Sequence, residues 1–287
     1  MTVDVSVIMP AYRAGATIER AVASVFAQEG VTAEDVLCAD DEVDYGSLLP
    51  PELRATAHLT FCRTPSPRSG PSVARNIALR HARADIIACL DADDAYGPDR
   101  LVRLLPLVVR HGVATGPTRE IHEGLQAPRV ARPRHGGDRL PVEDICELRM
   151  PFPPVFVKSK CPRGWPEIEF AEDVILNVDL YCMAGAYPFV EGAEYVYYVG
   201  RGSRTHSESA LKRARAGYLQ ILDLVDGRTW PEPVRDLVRR VFKEDLASVD
   251  GALARGNAGA TWRDIVRDGA GEAGVAGNPG GSAAGHH

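Results

Sequence analysis

Residues 3–9, Val-Asp-Val-Ser-Val-Ile-Met, are mostly β-branched or apolar and end at Pro10; the next apolar positions, Ile18, Ala21, Val22, Val25 and Phe26, recur at helical spacing. A strand therefore feeds a helix, and the unit repeats. Residues 35–39 and 59–62 read as strands, 73–82 as a helix with apolar residues at 73, 74, 77 and 78, and 85–90 as a near-continuous apolar strand. A helix over 100–109 follows, which Pro106 should kink or shorten. This alternation predicts an α/β fold, a mostly parallel central sheet flanked by helices. Ligands of such sheets bind beyond the carboxyl ends of the strands.

Beyond residue 110 the pattern changes. Residues 126–139 hold Pro128, Pro133, Gly136, Gly137, His135 and four arginines, and read as a long exposed loop. That loop is either a solvated insertion or a lid and basic contact for an anionic acceptor. Residues 154–158 read as a short strand, 172–183 as a helix, and the aromatic, β-branched stretch 187–199 as a strand or hairpin. Helices over 207–226 and 231–255 form a C-terminal helical extension. From 266 to 287 Gly and Ala dominate without apolar period, the signature of a disordered tail. The expected division is an α/β domain over 1–205, the extension over 206–265 and the tail over 266–287.

Composition narrows the class. The 287 residues are 45% hydrophobic and 25% charged, which excludes disorder over the whole length. A net charge of -6 repels polyanions and argues against a dedicated nucleic-acid binder. The N-terminus lacks a basic segment followed by an apolar one, and no apolar run reaches the roughly 18 residues of a membrane span. The expected location is the cytoplasm, or peripherally the inner face of the membrane. Six cysteines are scattered without a CxxC pair and read as reduced thiols rather than a disulfide or zinc framework.

The sharpest chemical feature is Leu90-Asp91-Ala92-Asp93-Asp94, carboxylates placed directly after a buried strand. Carboxylates this close repel one another unless a cation or solvent offsets them, and oxygen-only ligands suit Mg²⁺ or Mn²⁺. The competing reading is a run of turn and cap aspartates before Pro98-Asp99.

Five further segments accompany it. Ser6-Val7-Ile8-Met9-Pro10-Ala11-Tyr12, the helix end Ser24-Val25-Phe26-Ala27-Gln28, Asp40-Asp41 after the second strand, Gly70-Pro71-Ser72-Val73-Ala74-Arg75-Asn76 and Phe170-Ala171-Glu172-Asp173 occur in that order. In order and spacing these motifs resemble the inverting glycosyltransferases of family 2, which have the GT-A fold. The resemblance covers residues 3 to about 205. It departs at Arg13, where Asn is frequent, and at Glu42-Val43-Asp44-Tyr45, where a Gly-Ser-Thr-Asp turn is usual.

The resemblance implies roles for named residues. Pro10 and Ala11 would give backbone contacts to the nucleotide base and Tyr12 a stacking face, with Asp40 and Asp41 at the base or ribose. Arg75 would support the nucleotide and the acidic motif; Asp91 and Ala92 would lie at the nucleotide, and Asp93, with Asp91, at a divalent cation. Asp173 would be the general base, with Glu172 its neighbour on the acceptor side. Trp165 falls where an acceptor-side aromatic is frequent, or else in the core, and His206 is either a further metal ligand or a surface residue.

The implied reaction moves a sugar from a nucleotide sugar, UDP-linked by preference, to an acceptor hydroxyl with inversion, with Mn²⁺ or Mg²⁺ assisting departure of the diphosphate. The acceptor would be a saccharide, a lipid-linked glycan or a small molecule, in bacterial polysaccharide, glycolipid or glycoconjugate biosynthesis. Two rivals stand beside this reading. A noncatalytic nucleotide-sugar-binding scaffold would keep the fold with a broken site. A sugar-nucleotide pyrophosphorylase would carry a Gly-rich loop after the first strand, where this chain has Pro10-Ala11-Tyr12-Arg13.

Overall fold

The computed structural model describes residues 3–55, 58–122, 128–134, 137–148, 150–199, 209–256, 262 and 265–266. The predicted units form in order: β1 (Val5–Ala11), α1 (Ile18–Phe26), β2 (Ala33–Ala39), the short α2 (Tyr45–Leu48) and α3 (Pro51–Arg54), β3 (Leu59–Arg63), α4 (Pro71–His81) and β4 (Ile86–Cys89). Then come β5 (Ala95–Tyr96), α5 (Arg100–His111), β6 (Val113–Ala114), β7 (Thr118–His122), β8 (Arg129–Ala131), α6 (Val142–Glu147) and β9 (Val155–Val157). α7 (Glu172–Ala184), β10 (Tyr195–Val199), α8 (Ala210–Val225) and α9 (Glu232–Ala254) complete the described elements.

Among the described residues the central sheet has six strands in the order β3-β2-β1-β4-β9-β6. β1, β2, β3 and β4 run parallel, whereas β9 is antiparallel to both β4 and β6. A second sheet, β5-β10-β7-β8, stands beside the carboxyl ends of the first. One face of the central sheet packs on α4 and the later helices, the other on α1 and α5. The carboxyl ends of β1, β2 and β4 thus lie side by side, and Tyr12, Asp40 and Asp91 follow them directly.

Two expectations need correction. Residues 126–139 are not one long loop: Arg129–Ala131 pairs with β7 as an edge strand, which the prolines and glycines around it concealed. Nor does Pro106 shorten its helix. α5 runs on to His111, because Leu101, Leu104 and Val108 are buried on one stripe while Pro106 sits on the exposed side, where water reaches the carbonyl left without a donor. Within the stretch 187–199, the regular strand is confined to β10. Val266, first residue of the expected tail, is buried, and the rest of that tail lies outside the described residues, as does His206.

β2 buries acids on both faces. Glu34 accepts from Ser6 Oγ and from the Arg83 N–H at 2.7 Å and pairs with the Arg83 guanidinium, tying β1 and β2 to the turn after α4. Asp35, one residue on, is fully buried, and neither of its oxygens has a hydrogen-bond partner. Burial, and then the neighbouring Glu34 charge, push its carboxyl up to about 8. The folded chain keeps this proton up to about pH 8, while the unfolded chain releases it near 3.8. Stability from this group is full below the lower value and falls as pH rises across the window, by up to ~1.4 kcal/mol per pH unit. Asp35→Asn removes that slope. Urea denaturation across the window should show the stability of the variant gaining on the parent as pH rises, and parallel profiles would refute the assignment.

Candidate active site

The acidic turn after β4 is built from below. Asp94 N–H donates to the Asp91 carbonyl at 3.0 Å, closing a four-residue turn. The carboxylate of Asp94 points inward, accepting from Tyr195 Oη at 2.6 Å and from the Tyr198 N–H at 3.0 Å. Tyr195 Oη in turn accepts the Asp91 N–H at 3.1 Å, so the turn hangs from β10. Burial, reinforced by Asp93 and Asp91, holds the Asp94 carboxyl well above the usual carboxylate range. On the outer side Arg20 stacks 3.6 Å from the Tyr198 ring centroid and donates to the Asp93 carbonyl.

Beneath the turn lies the fully buried Arg100. It donates to the carbonyls of Ala193 at 2.7 Å and Pro153 at 2.6 Å, and its guanidinium sits 5.3 and 5.4 Å from the ring centroids of Tyr96 and Tyr195. These contacts tie α5, the approach to β9 and the start of β10 together under the site.

With Asp94 turned inward, Asp91 and Asp93 face outward. Desolvation in the concave rim, and then Asp91, push the Asp93 carboxyl up to about 6, against the pull of Arg20 and Arg75. Two outward carboxylates that repel each other are a hard-oxygen donor set, and they fit a divalent cation that takes its remaining ligands from substrate and water. Among the described residues no group of three or more His, Cys, Asp and Glu is placed to hold a metal ion.

Arg75 projects from α4 between this turn and the start of α7. Its guanidinium pairs with Asp91 Oδ1 at 2.7 Å and with Glu172 Oε1 at 3.2 Å. Burial works against its charge, but the two carboxylates outweigh that and hold the proton more firmly than usual. The helical turn that sends Glu172 to Arg75 leaves Asp173 facing the cavity. Desolvation, and then the Glu172 charge, push the Asp173 carboxyl up to about 6 against the opposing effect of Arg75. Ala171, just before, has φ 61°, a left-handed conformation that a non-glycine residue adopts at a cost of about 1–2 kcal/mol.

Arg75, Asp91, Glu172, Asp173 and Trp165 line one cavity of about 220 Å³, together with Asp94 and Tyr195. Trp165 is at once core and lining: it is 3% exposed, and Asn76 clamps its backbone by donating to its carbonyl at 3.0 Å and accepting its N–H at 2.8 Å. Gly164 makes the clamp possible, since a Cβ there would lie 2.3 Å from Asn76 Oδ1.

Tyr12, Asp40 and Asp41 gather at the neighbouring edge instead. Tyr12 is 41% exposed, with its hydroxyl accepting from Arg68 Nε at 3.0 Å. Asp40, expected at the nucleotide, serves the interior of the loops, where its oxygens accept from Thr64 Oγ1 at 2.9 Å and from the N–H groups of Ser69 and Gly70 at 2.8 Å. Asp41 accepts from the N–H groups of Arg13 at 2.7 Å and Val43 at 3.1 Å and from Tyr45 Oη at 2.8 Å. Pro10 and Ala11 end β1 in register with Cys38 and Ala39. Ala92 is buried, and its carbonyl accepts from Thr17 Oγ1 at 2.8 Å.

Sequence reasoning passed over Asp94, Arg20, Asn76, Tyr195 and Arg100. Asp94, as the third acid of the run, and Asn76, as the last residue of the 70–76 segment, carried a signal; the others depend on strands and helices far apart in sequence.

The family model described as glycosyl transferase family 2 matches residues 6–154. The chain belongs to glycosyl transferase family 2. It is similar to the succinoglycan biosynthesis protein ExoO of Rhizobium meliloti (strain 1021), 39% identical over 111 residues, 36% of this chain and 29% of that protein. It also resembles the UDP-Glc:alpha-D-GlcNAc-diphosphoundecaprenol beta-1,3-glucosyltransferase WfgD of Escherichia coli, 30% identical over 110 residues, 38% of this chain and 43% of that protein. The chain thus spans less than half the length of these curated relatives. In fold it resembles S. aureus TarS 1-349 in complex with UDP-GlcNAc, with TM-score 0.65 and 18% identity over 88% of this chain and 74% of that one. The mannosyltransferase PcManGT of Pyrobaculum calidifontis, in complex with GDP-Man and Mn2+, aligns with TM-score 0.61 and 20% identity over 89% of this chain and 75% of that one. The fold of this family member is therefore GT-A, as its motifs led one to expect.

Arg75→Met takes the cation from between two carboxylates. Glu172 is buried and Asp91 half exposed, so the expected loss is about 2–3 kcal/mol, below that of a fully buried pair. Urea denaturation measures it, and an unchanged midpoint would show that the pair does not hold the site together.

Proposed function

We propose that this chain is an inverting transferase that moves a sugar from a UDP-sugar to an acceptor hydroxyl, with a divalent cation assisting departure of the diphosphate. The observation that carries this reading is the cavity in which Arg75 joins Asp91, on the donor side, to the acidic start of α7, with Asp173 facing the same space. Family membership supports the class of reaction. The complexes of TarS with UDP-GlcNAc and of PcManGT with GDP-Man and Mn2+ support a nucleotide-sugar donor. The names of ExoO and WfgD support a place in bacterial polysaccharide or glycolipid assembly, on a saccharide or lipid-linked acceptor.

In this reading Tyr12 offers an exposed ring for the base, flanked by the backbone of Pro10 and Ala11. Asp40 and Asp41 fix the loops that frame the base and ribose. Asp91 and Asp93 hold the cation, beside Ala92 in the same turn. Bound there, a divalent cation supplies positive charge for the leaving diphosphate. Asp173 takes the proton from the acceptor hydroxyl. A carboxyl near 6 suits a general base, being ionised at neutral pH yet more basic than an ordinary aspartate. One base and one displacement suffice for inversion, with no covalent nucleophile. Glu172 holds Arg75 and keeps Asp173 raised. Residues 1–205 form the transferase domain and 206–265 its helical extension. Among the described residues no helix is long and apolar enough to cross a membrane, and we place the work in the cytoplasm or at its membrane face.

Asp173→Asn should lower kcat by about 10²–10⁴-fold while UDP affinity, measured by calorimetry with Mn²⁺, stays unchanged. Turnover equal to the parent would overturn the role. Asp93→Asn should instead abolish the Mn²⁺ dependence of UDP binding.

The pH profile gives an independent check. The base must be ionised to act, so kcat/KM of the parent should climb as pH rises through about 6 and level off above it. A profile flat through that region would exclude Asp173.

A further inference from the structure

Two of the cysteines meet at the edge of the central sheet. Cys38 of β2 and Cys62 of the outer strand β3 are register partners in a parallel pair, so their side chains leave the same face of the sheet. That face is the one covered by α4. Cys38 is fully buried in the cluster that holds Ala74, Ile77 and Ala78, and Cys62, partly exposed, packs against it. Cys62 also leans across the gap, its Sγ donating to the Leu37 carbonyl of β2 at 3.5 Å. Both sulfurs are free thiols, and they lie in hydrogen-bonding contact with each other. Adjacent strands stand about 4.7–4.9 Å apart. A disulfide spans about 4.4–6.8 Å between Cα atoms, so these strands can be bridged with little movement of the backbone.

The surroundings separate this pair from cysteines that merely fill space. Burial pushes the thiols of Cys89, Cys161 and Cys182 up. Cys62 moves the other way: the hydrogen bond from Cys38, and then the Arg80 guanidinium on α4, hold it below the usual thiol value against the effect of burial. The same bond, and then burial, push Cys38 up. The more accessible sulfur is thus the better nucleophile, with a thiol waiting beside it.

The residues that follow each cysteine carry the pair's influence to the loops above. Arg63 donates to the carbonyls of Asp41 at 2.8 Å and Val43 at 3.3 Å, and Thr64 Oγ1 donates to Asp40 Oδ1 at 2.9 Å. The end of β3 therefore holds the loop that leaves β2.

We propose that Cys38 and Cys62 form a reversible oxidation site, at which a peroxide joins β2 to β3 by a disulfide and thereby weakens donor binding. The bridge stands on the geometry of the two strands, whereas its effect on the donor rests on the transferase reading above. In the first step the Cys62 thiolate attacks one peroxide oxygen, giving a sulfenic acid at Cys62 and, once the leaving hydroxide takes up a proton, one water. Cys38 then attacks the sulfenic sulfur; the S–S bond forms, the S–O bond breaks, and the oxygen leaves as a second water carrying the Cys38 proton. Two electrons pass from the two sulfurs to the peroxide. A dithiol returns both thiols by exchange. Bonding draws the two sulfurs from contact to about 2.05 Å. The strands close on the α4 side, and Arg63 and Thr64 shift against the loop they hold.

The test treats the reduced full chain with equimolar hydrogen peroxide, removes the peroxide, and blocks the remaining thiols before tryptic digestion. Cleavage after Arg20, Arg54 and Arg63 puts Cys38 in the peptide 21–54 and Cys62 in 55–63. These two peptides should appear linked, and dithiothreitol should separate them. UDP affinity, measured by calorimetry with Mn²⁺, should fall about tenfold on oxidation and recover on reduction. Cys62→Ser should give neither the link nor any response of UDP affinity to peroxide. Cys38→Ser should hold Cys62 at the sulfenic acid, which dimedone labels on peptide 55–63. Absence of the linked peptides, a link between other cysteines in their place, or full UDP affinity in the bridged protein would each overturn the proposal. Failure of the transferase reading looks different: the reduced parent would not bind UDP, while the bridge would still form.

Discussion

The candidate site is an accumulation of negative charge, and Arg75 is what allows it to exist. Asp91 arrives from the end of β4, Glu172 and Asp173 from the start of α7, and the guanidinium stands between them with one arm on each side. The planar fork matters as much as the charge, because it fixes two carboxylates from distant segments in one relative position. It also divides the labour on α7. Glu172 is spent on the guanidinium, and Asp173, its neighbour, keeps a carboxyl raised by burial and by that same glutamate. The acidic turn after β4 and the start of α7 are thereby held at a spacing that neither β4 nor α7 could set alone.

The turn itself depends on a hidden layer. Asp94 is sacrificed to Tyr195 and Tyr198 so that Asp91 and Asp93 can point outward, and Arg100 braces the floor by holding the carbonyls of Ala193 and Pro153. The same arrangement recurs at the base-side edge. Asp40 gathers the N–H groups of the loop before α4, and Asp41 those of the turns after β1 and β2. In both places acids of these motifs are spent on holding the loops together. These loops are thus ordered by their own side chains, which lowers the entropy that any binding to them would cost.

Much of this was legible in the sequence for a physical reason: strands and helices that cover a parallel sheet carry their period openly. β1, β2, β4, α1, α4 and α7 were all read within a few residues of their bounds. β8 was not, because a three-residue edge strand leaves no period and is fixed by its partner β7. The same divide runs through the site. Asp91, Asp173 and Arg75 sit in motifs and could be named. Arg100 and Tyr195 act through contacts between segments, where a single chain gives no local mark.

One hydrophobic cluster runs without interruption from Ile8 and Val36 in the central sheet, through Trp165 and Phe170, to Tyr218, Phe242, Val249 and Trp262. The extension is therefore no detachable module. These helices cannot be exchanged as a cassette, in the way of a surface loop, without recutting the shared interior. Change there would have to come one side chain at a time, each step constrained by the stability of the whole chain.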